Sequence, residues 1–309
     1  MAAPAMNAAP LAIAVICTPG LEFATRRELA ALGYSVPAAP PRPEPGVIEL
    51  SATEEDVMRL NLMSRTASRV LVRLGSFHAA AFSELRKKAS RLPWAPYLAP
   101  GAPVRVRATT HLSKLYHKKG IAERVAGAIS DALGRESALV SGADEEAPSD
   151  AALVVVRLLR NQCEISIDSS GEHLHRRGYR LQTAKAPLRE TLAASILFAS
   201  GWTGRAPLVD PFCGSGTMVI EAALMAAGLA PGRGRTFAFE RWPVFDAARW
   251  QAVRESVTVA MPTDLPALLG SDRDAGAIEA ARANAERAGV AALVAMPTDL
   301  PALLGSDRD

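Results

Sequence analysis

The chain has 309 residues and a mass of 32.6 kDa, more than the roughly 250 residues that one hydrophobic core organises well, so two domains are expected. Its 49% hydrophobic and 22% charged residues exclude a wholly disordered chain, and no apolar run reaches the length of about 18 residues needed to span a membrane. The three separated cysteines, Cys17, Cys163 and Cys213, exclude a disulfide framework and a CxxC metal knuckle, and they favour a reducing, cytoplasmic compartment.

The first half of the chain alternates short strands with helices. Apolar and β-branched runs, helical periodicity and capping residues locate these elements, and the Pro-rich segment 37–46 can only be a loop. Strands are predicted at 11–17, 69–74, 104–108, 153–158 and 164–168, the last two as a hairpin, and helices at 21–32, 54–64, 82–92 and 118–133. This order predicts an α+β fold.

The second half changes to a regular order of strand and helix. After a helix at 188–200 the pattern predicts strands at 207–210, at the segment ending in GSDRD (270–274) and at 291–295. Helices are predicted at 218–227 and 275–288, with a loop-rich excursion in between. Such an order is typical of the start of a parallel, doubly wound α/β sheet.

Basic residues cluster in two places, although the net charge of +3 is too small to identify a nucleic-acid-binding protein. Between 101 and 125 there are six basic residues against one acid, and between 172 and 190 five against two. The first cluster contains Arg105, Arg107, Lys114, Lys118, Lys119 and Arg124, and the second contains Arg176, Arg177, Arg180, Lys185 and Arg189. Both a solvated face and a footprint for RNA phosphates are compatible with these clusters.

The segment DPFCGSGT (210–217) follows a buried-type strand and opens a helix. Gly214 and Gly216 can adopt positive φ and allow a ligand close to the backbone. Position 219 is Val where a dinucleotide fingerprint has Gly or Ala, and no GK[ST] follows, which disfavours a nucleotide-phosphate site. Asp272, at the end of the next strand, suits a ribose diol. The alternative is a plain tight turn with Asp272 as a helix cap.

One segment occurs twice without a change. Residues 259–274 and 294–309 have the same sequence, VAMPTDLPALLGSDRD. Only the first copy is followed by the helix that a βα unit requires, so the ligand-binding role is assigned to Asp272 and not to Asp307.

Five motifs in this order resemble the THUMP-domain class I S-adenosylmethionine-dependent RNA methyltransferases, and most closely the bacterial large-subunit rRNA guanine-N2 methyltransferases. The motifs are HLHRRGYR (173–180), APLRETLAA (186–194), LVDPFCGSGTMVIEAALMAAGLAPG (208–232), FERW (239–242) and GSDRDAGAIEAARANAERAG (270–289). In the first half, the segments 18–33, 61–74 and 113–129 are similar to the family's ferredoxin-like and THUMP blocks.

The resemblance implies a ferredoxin-like segment at 1–50, a THUMP RNA-binding domain at 51–170, a basic linker at 171–190 and a partial Rossmann-like methyltransferase domain at 191–309. It implies S-adenosylmethionine as methyl donor, RNA, in particular ribosomal RNA, as partner, and no metal or membrane. The implied cofactor residues are Asp210, Pro211, Cys213, Gly214, Gly216, Thr217 and Asp272, with Pro187 and Glu190 in a covering block. The implied RNA contacts are Arg105, Arg107, Lys114, Lys118, Lys119, Arg176 and Arg177.

Catalysis in such enzymes is mainly alignment of an exocyclic amine with the methyl group. An amine target needs no covalent enzyme adduct, so Cys213 is interpreted as packing and not as a nucleophile. In this family a tetrapeptide of the Asn-Pro-Pro-Tyr type holds the base. This sequence contains no such tetrapeptide, and the catalytic residues of the chain are therefore unassigned. The expectation is a truncated, inactive chain. The alternative is a non-catalytic THUMP RNA-binding module.

Overall fold

The computed structural model describes residues 10–38, 44–140, 150–180, 188–258 and 262–297. The described part of the first half forms a sheet with the strand order β2-β1-β3-β6-β5-β4. The strands are β1 (Leu11–Ile16), β2 (Val47–Ala52), β3 (Arg69–His78), β4 (Val104–His111), β5 (Ala152–Leu159) and β6 (Gln162–Asp168). The helices are α1 (Glu22–Ala31), α2 (Glu54–Met63), α3 (Phe82–Ala89) and α4 (Lys118–Leu133).

The sheet is continuous across the whole first half. β3 pairs antiparallel with β1 on one side and with β6 on the other. β5 and β6 form the predicted antiparallel hairpin, while β4 and β5 are parallel and connected through α4. The expected division after residue 50 falls within β2, and the domain limits remain predictions.

β2 is a strand that the sequence analysis missed. Its side chains alternate between buried and exposed positions, with Ile48 and Leu50 facing the core. The following helix begins at the expected cap, because the Thr53 hydroxyl accepts a hydrogen bond from the Asp56 amide and the Asp56 carboxylate accepts one in return from the Thr53 amide. A six-residue strand next to a Pro-rich segment gives only a short sequence signal. The strand is stabilised by its pairing with β1.

The second half contains a parallel sheet in the order β7-β8-β9 among the described residues. The strands are β7 (Leu208–Asp210), β8 (Leu268–Gly270) and β9 (Val294–Ala295). The helices are α5 (Glu190–Ser200), α6 (Thr217–Ala226), α7 (Ala247–Ser256) and α8 (Ala275–Arg287). The strand predicted at 291–295 is only partly correct, since Ala291–Leu293 forms a 3-10 turn. The parallel α/β arrangement is confirmed.

The excursion between α6 and β8 is more ordered than predicted. It contains a 3-10 turn at Ala238–Arg241 and the helix α7. The buried aromatic residues Phe237, Phe239 and Trp250 pack into the hydrophobic core of the first half, not into that of the parallel sheet. This packing joins the two halves of the chain through a shared core. None of the helices in the described ranges is long and apolar enough to span a bilayer.

Candidate functional site

The glycine loop follows β7 at the carboxyl edge of the parallel sheet. Gly214 has φ 52°, and a Cβ atom added to it would meet no atom within 4 Å. Gly216 has φ 83° and caps α6, and a Cβ atom there would approach the Cβ atom of Ala281 to 3.0 Å. The first glycine therefore leaves open space beside the backbone, and the second allows α6 to pack closely on α8.

The Asp272 carboxylate lies against this loop. Its Oδ2 atom accepts a hydrogen bond from the backbone amide of Gly214 at 2.9 Å, and its Oδ1 atom accepts one from the Asp274 amide at 3.0 Å. The cap of α8 is Asp274, whose carboxylate accepts hydrogen bonds from the amides of Gly276 and Ala277. The alternative role of Asp272 as a helix cap is therefore wrong, because the neighbouring aspartate performs it.

Asp210 brings a second carboxylate to the same edge. Its Oδ1 atom accepts a hydrogen bond from the Phe212 amide at 3.1 Å. Partial burial raises the pKa of Asp210, and the negative charge of Asp272 raises it further. Carboxylates accept hydrogen bonds and attract positive charge, so this edge fits a ligand that presents hydroxyl and ammonium donors. S-adenosylmethionine carries both groups, and the residues present fit it.

The other loop residues expected to contact the cofactor, Pro211, Cys213 and Thr217, differ in burial, and their cofactor contacts stay predictions. Cys213 is buried, and its Sγ and Cβ atoms lie 3.2 Å from the position that a Cβ atom on Gly270 would take. Burial and the neighbouring carboxylates raise the pKa of this thiol to about 12, which is unfavourable for a nucleophile. Pro211 is exposed, and Thr217 is buried as the first residue of α6.

Asn284 is a supporting residue that the sequence analysis missed. It is fully buried on α8, and its side-chain amide donates a hydrogen bond to the Ser215 carbonyl oxygen at 3.0 Å. This bond connects Ser215, in the centre of the glycine loop, to α8. The only sequence signal for it is a polar residue at a buried helix position, which is common and does not by itself indicate a partner.

Glu190 is buried at the start of α5. Its Oε2 atom accepts a hydrogen bond from Arg180 at 2.6 Å. Burial raises the pKa of Glu190 to about 7, although the Arg180 charge opposes this shift. The proposed cofactor contact of Glu190 therefore stays a prediction. Pro187 lies outside the described residues.

Arg177 is the clearest correction among the predicted RNA contacts. Its side chain is buried, and its guanidinium donates to the carbonyl oxygens of Leu174 (2.6 Å) and Arg65 (2.5 Å). Its Nε atom lies 3.6 Å from the Glu221 carboxylate, which also accepts a hydrogen bond from the Tyr179 hydroxyl at 3.1 Å. Arg177 therefore stabilises the joint between the two halves and is not available to RNA.

The remaining predicted RNA contacts are on the surface of the first half or at the junction. Arg105 is half-buried and Arg107 exposed on β4, and Arg176 is half-exposed near Glu172. Lys114 is exposed in the segment 112–117, which we call the β4–α4 loop, and Lys118 and Lys119 are exposed directly after it. Lys118 and Lys119 begin α4, and the first turn of this helix has no acidic residue. Cations at a helix N-terminus interact unfavourably with the helix dipole. The presence of Lys118 and Lys119 there is therefore not explained by a contribution to helix stability.

The β4–α4 loop is held in one conformation by several hydrogen bonds. The Asn161 side chain accepts one from the Lys114 amide at 2.7 Å, and the His117 imidazole accepts one from the Gly120 amide at 3.1 Å. Leu112 has φ 50° and is exposed, and the Tyr116 ring is 77% exposed. The loop therefore presents an apolar side chain, an aromatic ring and cations on a fixed backbone, a combination that sequence analysis did not identify.

Comparison with protein families gives three matches along the chain. The model of the RlmL ferredoxin-like domain matches residues 12–71, the THUMP domain model matches 79–168, and the RMKL-like methyltransferase domain model matches 177–305. The three matches follow one another in the order expected from the sequence motifs.

Relatives and solved structures agree with these matches. "Putative RNA methyltransferase YpsC" of Bacillus subtilis is 34% identical over 88% of this chain and 69% of that protein. "Ribosomal RNA large subunit methyltransferase K/L" of Syntrophotalea carbinolica is 37% identical over 79% of this chain and 36% of that protein. The crystal structure of "SMU.472, a putative methyltransferase complexed with SAH" covers 94% of this chain and 76% of that chain, with 31% identity and a TM-score of 0.81.

A more distant structure, TrmN from Thermus thermophilus, has a TM-score of 0.66 at 19% identity over 94% of this chain and 73% of that chain, and supports the fold alone. The family models, the relatives and the geometry of the glycine loop lead to one conclusion. The chain belongs to the S-adenosylmethionine-dependent RNA methyltransferases that join an RlmL-type ferredoxin-like domain and a THUMP domain to an RMKL-like methyltransferase domain.

Proposed function

We propose that this chain holds S-adenosylmethionine and ribosomal RNA for methylation of a guanine N2 atom in the large ribosomal subunit. The observation that carries the proposal is the open carboxyl edge of the parallel sheet, where Asp210, Gly214 and Asp272 meet. The large-subunit rRNA relatives support the substrate class. The cytoplasm is the expected location, consistent with three free, buried cysteines.

In this proposal the donor lies over the glycine loop. Gly214 allows the ligand to approach the backbone, while Asp272 accepts hydrogen bonds from the ribose hydroxyls and keeps its bond to the loop. The bound donor supplies an electrophilic methyl group on a sulfonium. The protein contributes alignment of the guanine amine with that group, together with removal of a proton, and these steps require no covalent adduct on Cys213.

RNA would bind to the exposed cations of the first half. Lys114, Lys118 and Lys119 are candidates for phosphate contacts, because they lie on a fixed loop and at a helix start where the backbone amides add positive potential. Arg105 and Arg107 continue the basic surface along β4.

A non-catalytic RNA-binding module is the alternative. It accounts for the basic surface but leaves the carboxylates and the glycine loop at the sheet edge without a role. The sequence contains no Asn-Pro-Pro-Tyr type of tetrapeptide, so the proposal assigns no residue to the guanine base.

Titration calorimetry with S-adenosylhomocysteine tests the donor site, with NAD as the competing ligand. We expect binding of S-adenosylhomocysteine and none of NAD. A radiolabelled methyl-transfer assay on unmodified ribosomal RNA tests the catalytic step in the same preparation. Binding of neither ligand, together with tight RNA binding, would favour the non-catalytic module. Methyl transfer by the chain would show that other residues hold the base.

A further inference from the structure

The glycine loop contains two residues whose backbone is little restricted. Gly214 and Gly216 have φ values of 52° and 83°, and Ser215 lies between them. Glycine adopts many backbone conformations, so contacts with other segments must determine the shape of the loop. The end of β8 supplies one such contact, the hydrogen bond from the Gly214 amide to Asp272. Ser215 is buried, and its carbonyl oxygen therefore also requires a hydrogen-bond donor.

Asn284 on α8 supplies the donor for Ser215. Its Nδ2 atom donates to the Ser215 carbonyl oxygen at 3.0 Å, and its Oδ1 atom accepts a hydrogen bond from Nη2 of Arg287 at 2.5 Å. A side-chain amide has a donor end and an acceptor end, so one residue can bind both partners. The cationic donor at the oxygen strengthens the bond made by the nitrogen, because consecutive hydrogen bonds polarise one another. A leucine or an ionised aspartate at this position cannot make both contacts.

Arg287, the last residue of α8, extends this connection to the segment that leads into the second half. Its Nε atom donates to the Tyr179 carbonyl oxygen at 2.8 Å, while its Nη2 atom donates to Asn284. Three consecutive hydrogen bonds thus lead from Tyr179 to Ser215. Because the guanidinium is planar and its donors have fixed directions, Arg287 sets the relative positions of its two acceptors.

Tyr179 is held through its hydroxyl group as well as through its backbone. It is buried, and its hydroxyl donates to Glu221 on α6 at 3.1 Å. Two residues earlier, Arg177 donates to the Arg65 carbonyl oxygen of the first half at 2.5 Å. The segment 177–179 therefore contacts the first half, α6 and α8. The glycine loop is connected by hydrogen bonds to the joint between the two halves.

We propose that Asn284 and Arg287 are positioning residues of the donor site. They hold the Ser215 carbonyl oxygen, and with it the glycine loop, in the conformation that binds S-adenosylmethionine, and they connect that conformation to Tyr179. The inference rests on the proposed function, because it takes the glycine loop as the donor site. Both side chains act through the backbone of the loop and not through contact with the donor. A loop that is already ordered binds more tightly, because binding does not have to order it.

Titration calorimetry with S-adenosylhomocysteine is the first test, and Asn284→Asp is its main variant. This change keeps the size of the side chain and an acceptor for Arg287, but it replaces the amide donor. The buried Ser215 carbonyl oxygen thereby loses its partner. Loss of this hydrogen bond should weaken ligand binding about tenfold.

Asn61→Asp is the matched control for Asn284→Asp. Asn61 is also a buried helical asparagine, and its side-chain amide donates to the Val57 carbonyl oxygen and to the Ser169 hydroxyl, both in the first half. The variant should lower the melting temperature, because buried hydrogen bonds are lost, and keep ligand affinity within about twofold of wild type. A purely structural role of Asn284 predicts the same result for Asn284→Asp.

Arg287→Ala tests the connection to Tyr179, and it serves also if Asn284→Asp does not fold, because Arg287 is exposed. Its loss should weaken ligand binding by at least about threefold, since Asn284 loses the partner that orients it. The matched control is Arg282→Ala. Arg282 is exposed on the same helix and donates twice to a carbonyl oxygen, that of Met296, which follows β9. This control should bind the ligand like wild type.

The second test observes the loop directly by NMR. The Ser215 carbonyl group and the Gly216 amide belong to the same peptide group, so loss of the bond from Asn284 should shift the Gly216 amide resonance. Both Asn284→Asp and Arg287→Ala should shift this resonance, and saturating S-adenosylhomocysteine should reduce the shift. The Asn61→Asp control should leave it in place. An unchanged Gly216 resonance in the two α8 variants would overturn the inference.

The calorimetric outcomes separate this inference from the proposed function. If wild type binds no S-adenosylhomocysteine, the donor part of the proposed function fails and the inference fails with it. If Asp272→Ala weakens binding while Asn284→Asp and Arg287→Ala match wild type, the inference is wrong and the donor site remains. A loss in Asn284→Asp alone would overturn the connection to the joint between the halves. Losses of equal size in the matched controls would show that general destabilisation is responsible, which would also contradict the inference.

Discussion

The Oδ2 atom of Asp272 accepts a hydrogen bond from the backbone amide of Gly214 at 2.9 Å, across 58 residues of sequence. The end of β8 thereby fixes the conformation of the loop that follows β7. One carboxylate can thus shape the glycine loop and also accept hydrogen bonds from a ligand, since a carboxylate has about four acceptor positions. Removing it should disturb both functions.

Asp272→Ala should weaken binding of S-adenosylhomocysteine by about 1 to 3 kcal/mol, because the glycine loop loses its anchor and the ligand hydroxyls lose an acceptor. Titration calorimetry measures this change. The matched control is Asp274→Ala, which should reduce stability by about 1 kcal/mol through loss of the α8 cap and leave ligand affinity unchanged. Asp307→Ala, in the second copy of the repeated segment and outside the described residues, should also have no effect. Equal losses for Asp272→Ala and Asp307→Ala would contradict the assignment.

Glu190 should make stability dependent on pH. Its pKa is about 7 in the folded chain against an ordinary value of 4.5 for a glutamate, so the folded state binds the proton more tightly. The Glu190 contribution to stability is therefore greatest below pH 4.5 and decreases as the pH rises to about 7, by up to about 3 kcal/mol. Urea unfolding of wild type and Glu190→Gln should show a stability difference that changes across this range. A difference that is constant with pH would contradict the raised pKa.

Tyr116 should contribute to binding of unpaired RNA bases. An exposed ring beside exposed lysines can stack with a base of any type, which is worth about 1 to 3 kcal/mol per base. Tyr116→Ala should therefore weaken binding of a single-stranded RNA, whereas Tyr116→Phe, which keeps the ring, should not. Phe23→Ala is the control, because Phe23 is also exposed but lies on α1. Identical affinities for Tyr116→Ala and wild type would rule out stacking at this position.

Arg177→Ala should destabilise the chain without a direct effect on RNA. Removing the guanidinium leaves the Glu221 carboxylate buried beside fewer cations, which costs about 3 to 5 kcal/mol. Thermal unfolding measures the loss, and RNA affinity is measured below the melting temperature. Weaker RNA binding by a fully folded Arg177→Ala variant would show that the buried position of Arg177 changes when RNA binds.

The three cysteines should be unreactive in the folded chain. All are buried, and burial raises the pKa of each thiol, to about 12 for Cys163 and Cys213. Thiolate is the reactive form, so a thiol reagent at pH 8 should label the protein only after unfolding. Cys213→Ala should bind S-adenosylhomocysteine within about threefold of wild type. Rapid labelling of Cys213 in the native state would contradict its interpretation as a packing residue.

Much of the secondary structure can be predicted from the sequence because it depends on residues that are close together along the chain. The helix α4 has its predicted limits, and the hairpin of β5 and β6 forms as expected. The strand, glycine loop and helix around 208–226 were also predictable, because positive φ at Gly214 and Gly216 is a local requirement. The resemblance to a methyltransferase family came from the same short motifs.

Only the tertiary structure decided the partners of particular side chains. Arg177 and Arg189 belong to the same basic cluster in the sequence, yet Arg177 is buried against Glu221 and Arg189 is exposed. Phe239 joins the core of the first half although it is predicted in a loop of the second. Asp272 and Asp274 are indistinguishable as candidate caps until their distances to Gly214 and Gly276 are known. Local sequence fixes backbone preferences within a few residues, whereas burial and charge pairing depend on which distant segments the folded chain brings together.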